Sequence, residues 1–165
     1  MGSRGPTAVV RVEDAPYPRV LGIREELRER GRAVVAMDVD PRVHMNAMGT
    51  VHGGAIASLV DSAAARAVAS LVGEVARMST IELKVNYLRP SAGGTLRAEG
   101  RVVHAGTRIA VVEVDVSQEG SLIAKALATY YVAGGADRDG RPAHIHPPGH
   151  GGVPPLVGLK SAGSL

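Results

Sequence analysis

Apolar and polar positions along the chain follow different rhythms in different stretches. In RVLGIREELRERGRAVVAMDVD, Arg19 to Asp40, the portion IREELRER suits a short polar helix. Leu21, Ile23 and Leu27 also fit a period of two, and Gly31 stands where a hairpin would turn, so two strands joined near Arg30 and Gly31 are expected. From Gly54 to Val72 the chain is alanine-rich, free of proline and followed by Gly73, which reads as a helix with a glycine C-cap. That helix is apolar on nearly every side, so burial all round is expected. Four strand candidates follow, ARMSTIELKVNYLRP, GTLRAEGRVVHAG, RIAVVEVDVSQE and SLIAKALATYYVA, punctuated by glycines 93 and 94, 106 and 120 as hairpin turns. Two strands, one buried helix and four meandering strands predict an α+β architecture, an antiparallel sheet wrapped around a central helix.

The rhythm fails at both ends. Residues 1–16 look loose, and residues 133–165 are rich in glycine and proline without apolar periodicity. The expected organisation is a disordered N-terminus over 1–16, a folded domain over 17–132 and a disordered tail over 133–165. The tail carries HIHPPGH, with His144, His146 and His150 close together. The prolines prevent a helix that would align these rings, and a flexible cluster lacks groups to orient them, so no metal site is expected.

Composition narrows the function classes. The chain has 165 residues and no cysteine, which excludes disulfides, thiol nucleophiles and thiolate metal sites. Its net charge of +3 comes from scattered basic residues, and tryptophan and phenylalanine are absent. Nucleic-acid binding therefore has no support. The first residues lack the apolar core of a secretory signal, and no window offers about 20 apolar residues free of charge, so no membrane partner and a cytoplasmic location are expected. There is also no G-x-S-x-G elbow, phosphate-binding G-x-x-x-x-G-K-[ST] or dinucleotide fingerprint.

One carboxylate interrupts the apolar helix. Asp61 has Ala57, Ser58, Ala64 and Ala65 as its neighbours at three and four residues, and Arg66 lies off the pairing positions. A buried unpaired charge costs several kcal/mol, so such a group is either paired elsewhere or functional. Ahead of it, His52, Gly53 and Gly54 place two glycines at the helix N-terminus. Backbone N–H groups there, reinforced by the helix dipole, can hold a carbonyl oxygen and stabilise charge developing on it. Gly53 and Asp61 are eight positions apart, about 12 Å along a helix. One helix cannot bring both to one carbonyl, whereas two antiparallel helices at a dimer interface can. A sheet curled round one apolar helix also leaves open edges that a second subunit would cover.

NAMGTVHGGAIASLVDSAAARA resembles the signature N-x-x-G-x-x-H-G-G, followed seven residues later by an acidic residue, of the PaaI-like acyl-coenzyme A thioesterases of the hotdog-fold superfamily. The likeness extends from about Arg19 to Val132. It implies a hotdog fold, assembly as dimers that often pair into tetramers with composite active sites, and acyl-coenzyme A as substrate, without a cofactor. By that resemblance Asp61 is the general base or nucleophile, Gly53 offers its N–H to the thioester carbonyl, and Asn46 orients carbonyl or water, its alternative role being a turn residue. His52 would fix the loop or touch ligand beside Gly54. Thr80, or Ser79, would supply a hydroxyl at the attacking water. Arg89 and Arg108 would meet the coenzyme phosphates, or else be solvated surface residues. Met45, Met48, Leu59 and Val60 could line an acyl tunnel or simply fill the core. Two alternatives stay open: a hotdog hydratase or dehydratase acting on acyl thioesters, and a non-catalytic acyl-coenzyme A sensor.

Overall fold

The computed structural model describes residues 12–72 and 77–133. A single turn of 3-10 helix, Val12–Asp14, leads to α1, Pro16–Val20, followed by β1, Ile23–Glu29, and β2, Arg32–Asp38. Then come α2, Pro41–His44, the long helix α3, Gly53–Val72, and the strands β3, Arg77–Tyr87, β4, Thr95–Ala105, β5, Ile109–Gln118, and β6, Ser121–Ala133. The six strands form one antiparallel sheet in the order β1-β2-β4-β5-β6-β3. The expected α+β architecture is present, and IREELRER is a strand: β1 pairs with β2 across a turn in which Gly31 has φ 74°.

The four later strands do not form a simple meander. β4, β5 and β6 are successive hairpin partners, but β3 pairs with β6 at the far edge of the sheet. Gly93 and Gly94, with φ of 157° and 72°, therefore turn the chain into a crossover and not a hairpin. The preceding segment is fixed by backbone bonds from Leu88 and Arg89 to the Ile123 carbonyl. Upstream, packed chain begins ahead of the expected boundary at residue 17, because Val12 is buried in the core and α1 covers residues 16–20. The expected C-cap at Gly73 and the histidines of the tail lie outside the described residues.

Burial on α3 is one-sided. Ala55, Ile56, Leu59, Val60, Ala63, Ala64, Ala67 and Val68 are buried in a repeat of two in and two out. They face Val35 and Met37 of β2, Leu96 and Ala98 of β4, and Val112 and Val114 of β5. Each fully buried Leu or Val side chain contributes roughly 1.5–3 kcal/mol. The opposite stripe, with Ala57, Ser58, Asp61, Ser62 and Ala65, is only half-buried. By length and composition α3 could also cross a membrane, but its apolar face is committed to this sheet.

Small residues bring the helix close to the sheet. A Cβ on Gly100 of β4 would stand 2.9 Å from the Ala63 carbonyl oxygen. The outer face of the sheet is charged instead, with Lys125 bound to Asp115 at 2.8 Å, Arg97 to Glu26 at 2.9 Å and Arg32 to Glu99. Exposed pairs of this kind are worth about 0–1 kcal/mol each, so apolar burial holds the fold.

Candidate functional site

The site starts from the chain that leads into α3. Asp40 caps α2, its side chain accepting from Arg42 N–H, and its own N–H donates to Nδ1 of the buried His44. The proton of His44 is thereby on Nε2, which donates to the Leu21 carbonyl at 3.1 Å. The His44 carbonyl then accepts from His52 N–H at 2.7 Å, anchoring the residue that precedes the helix.

Between them, Asn46 organises the loop. Its Oδ1 accepts from the N–H groups of Met48 and Thr50, and its Nδ2 donates to the Thr50 hydroxyl at 2.8 Å. These bonds hold the loop in which Gly49 takes φ 74°.

At the helix start, His52 sorts the backbone donors. Its Nδ1 accepts from Gly54 N–H at 2.9 Å, and its carbonyl accepts from Ala55 and Ile56. Gly53 N–H is left without an acceptor among the described residues. It opens onto a cavity of about 280 Å³ lined by Thr50, Tyr87, Arg89 and Ser91 among others. Glycine fits the position because a Cβ there would meet the Tyr87 ring at 3.2 Å, while the Tyr87 hydroxyl donates to the Gly53 carbonyl. Arg89 sits at this rim with Nη1 donating to the Leu122 carbonyl.

Asp61 lies on the half-buried stripe and faces a second cavity of about 420 Å³, lined by Tyr17, Pro18, Ala57, Ser58, Ser62, Thr80 and Leu83. No lining residue is common to the two cavities. The Asp61 carboxylate draws its partners from the sheet: Thr80 Oγ1 donates to Oδ1 at 2.9 Å and Tyr130 OH donates to the same oxygen at 2.5 Å. Tyr130 OH also reaches the Asp61 carbonyl at 2.9 Å. Thr80 and Tyr130 are directly paired between β3 and β6. A bulge at Ile81, where the register shifts between Thr80 and Glu82, turns Thr80 toward α3 while keeping Leu83 and Val85 on the core. Ser79 alternates to the opposite face of the strand, away from Asp61. Arg66 pairs instead with Glu25 of β1. Burial first, then the Asp61 charge, push the Tyr130 phenol far above its ordinary range, so it stays a donor at neutral pH.

The structure thus gathers Asp61 and Thr80 at one cavity and Gly53 and Arg89 around another, while His52, outside both linings, holds Gly54. Arg108 is exposed in the β4–β5 turn, where its carbonyl accepts from Val132 N–H. Tyr130, Tyr87 and Tyr17 were not among the residues singled out from sequence. Strand parity in ALATYYV offers a signal for Tyr130, because it shares a face with the buried Ala124, Ala126 and Ala128.

Residues 48–125 match the thioesterase superfamily. The medium/long-chain acyl-CoA thioesterase YigI of Salmonella typhimurium is 36% identical over 132 residues, covering 71% of this chain and 85% of that protein. The chain belongs to the thioesterase superfamily. Among solved structures, the E. coli PaaI protein from the phenylacetic acid degradation operon is 29% identical with a TM-score of 0.68, covering 74% of this chain and 88% of that one. A mutant of the phenylacetic acid degradation protein PaaI from Thermus thermophilus is 31% identical with a TM-score of 0.66, covering 71% of this chain and 98% of that one. This is a PaaI-like hotdog thioesterase, and both the α3 carboxylate and the Gly53 donor fall within the matched residues.

Proposed function

We propose that this thioesterase hydrolyses acyl-coenzyme A esters at sites shared between two copies of the chain. The observation that carries the reading is the division of labour along α3. A carboxylate held on one side and a free N–H on the other open into separate cavities, about 12 Å apart along the helix. Antiparallel apposition of two α3 stripes would bring Asp61 of one subunit to the partner's Gly53. The small residues Ala57, Ser58 and Ala65 permit that close approach, and β3 is a long edge strand whose outer side pairs with no described residue.

In such a site the thioester carbonyl oxygen accepts from Gly53 N–H, which stabilises the charge that develops there. Asp61 either takes a proton from the attacking water or attacks the carbonyl carbon itself. The carbon–sulfur bond then breaks and coenzyme A leaves as the thiol; the free acid forms in the same step when water attacks, or after water hydrolyses the acyl–Asp61 anhydride when Asp61 attacks directly. Arg89, beside the Gly53 cavity, is placed for the phosphate-bearing end of the substrate, with the exposed Arg108 a second candidate. Pro18, Ala57 and Leu83 give the Asp61 cavity an apolar wall for the acyl group. The name of the Salmonella relative supports a medium or long acyl chain.

Thiol release from acyl-coenzyme A esters of graded chain length tests this reading. Turnover is expected, with Asp61→Asn lowering it by a factor on the order of 10² or more. A dehydratase or a sensor would release no thiol, and unchanged turnover in Asp61→Asn would remove the catalytic assignment.

A further inference from the structure

We propose that Tyr130 is a positioning residue that, with Thr80, holds Asp61 by Oδ1 and leaves Oδ2 as the oxygen that meets the substrate. The inference rests on the thioesterase reading of Asp61. Both hydroxyls converge on Oδ1, and no described residue donates to Oδ2. The second bond from Tyr130, to the Asp61 backbone carbonyl, ties the carboxylate to the helix that carries it. Tyr130 can do this because it is only 2% exposed and its ring is packed in the sheet.

The helix itself offers no substitute. The residues three and four positions from Asp61 are alanines and serine, and Ser58 Oγ already donates to the Gly54 carbonyl. Without the sheet donors, two rotatable bonds would let the carboxylate swing toward solvent. Pinning one oxygen serves either chemical route: Oδ2 takes the proton from water as that water bonds to the carbonyl carbon, or Oδ2 itself bonds to that carbon as the sulfur leaves. A misplacement of about 1 Å in a catalytic group costs on the order of 10²-fold in rate.

The test uses the full chain in its native assembly, comparing Tyr130→Phe, Thr80→Val, Thr80→Ser and Asp61→Asn by thiol release, melting temperature and oligomer size. Tyr130→Phe is expected to lower kcat about 10- to 10²-fold with KM within about threefold and the melting temperature little changed. Thr80→Val should fall similarly, and Thr80→Ser should recover much of that loss. Turnover of Tyr130→Phe within about twofold of wild type, with Asp61→Asn inactive, overturns the role of Tyr130 and leaves the thioesterase reading standing. If Tyr130→Phe does not fold, the Thr80 pair decides: recovery in the serine variant supports the clamp, and equal activity of valine and serine overturns it. Wild-type turnover in Asp61→Asn brings down the catalytic reading and this inference together.

Discussion

Gly54 N–H donates to His52 Nδ1 at 2.9 Å, and this single bond decides which donor at the start of α3 remains for a ligand. Ala55 and Ile56 are satisfied by the His52 carbonyl, so among the described residues Gly53 alone of the first-turn donors has no acceptor. Proline is tolerated at the first helical position and lacks an N–H. Gly53→Pro should therefore keep the helix while lowering kcat by about 10²-fold, the scale of losing one oxyanion donor. The proline ring must also fit beside Tyr87, so circular dichroism should accompany the kinetics. Full turnover by a folded Gly53→Pro protein would show that the carbonyl is held elsewhere.

The separation of Asp61 from Gly53 leads to a complementation experiment. Each site in a dimer would take its carboxylate from one chain and its donor from the other. Mixing Asp61→Asn with Gly53→Pro chains, each inactive alone, should then regenerate one intact site in every mixed dimer. With random pairing that is about a quarter of wild-type turnover. A site contained within one chain would give no recovery on mixing, so an inactive mixture of demonstrably exchanged chains rules against the shared site.

Much of this arrangement was legible in the sequence, because helix and strand periods are local. Composition alone placed α3 nearly to its ends, and alternation marked all six strands. Pairing partners are not local: Gly93 and Gly94 look like a hairpin turn whether β4 lies beside β3 or across the sheet from it, and only packing around α3 decides. The same limit applies at the site. Asp61 stands out as a charge in an apolar run, whereas Tyr130 becomes visible only once β6 is known to pass beneath that residue. Choosing Thr80 over Ser79 follows strand parity, and the bulge at Ile81 reverses that parity for the rest of β3.

Gly100 shows how closely α3 is seated. An added Cβ would lie 2.9 Å from the Ala63 carbonyl oxygen and 3.0 Å from its carbon. Backbone atoms cannot swing aside as a side chain could, so the helix must move off β4. Gly100→Ala should cost about 1–3 kcal/mol, lowering the melting temperature by roughly 4 °C per kcal/mol. An unchanged melting curve would mean that the helix is free to shift without penalty, contrary to its tight packing.

Alkaline stability offers a separate measure of the Tyr130 environment. The phenol is raised well above its ordinary value of 10.0 by burial, by the Asp61 charge and by their hydrogen bond. At pH above 10 the unfolded chain therefore releases this proton while the native chain keeps it. The native state binds more protons, so this contribution is fully present below pH 10 and is lost as pH rises, by at most about 1.4 kcal/mol per pH unit. Tyr130→Phe removes the titrating group and leaves every other one in place. The stability of wild type relative to Tyr130→Phe should consequently hold level up to about pH 9 and decline between about pH 10 and pH 12, as read from urea unfolding at each pH. A difference that stays constant over that range would show that the phenol ionises in the native protein as it does in the unfolded chain, and that its hold on Asp61 is weaker than the geometry indicates.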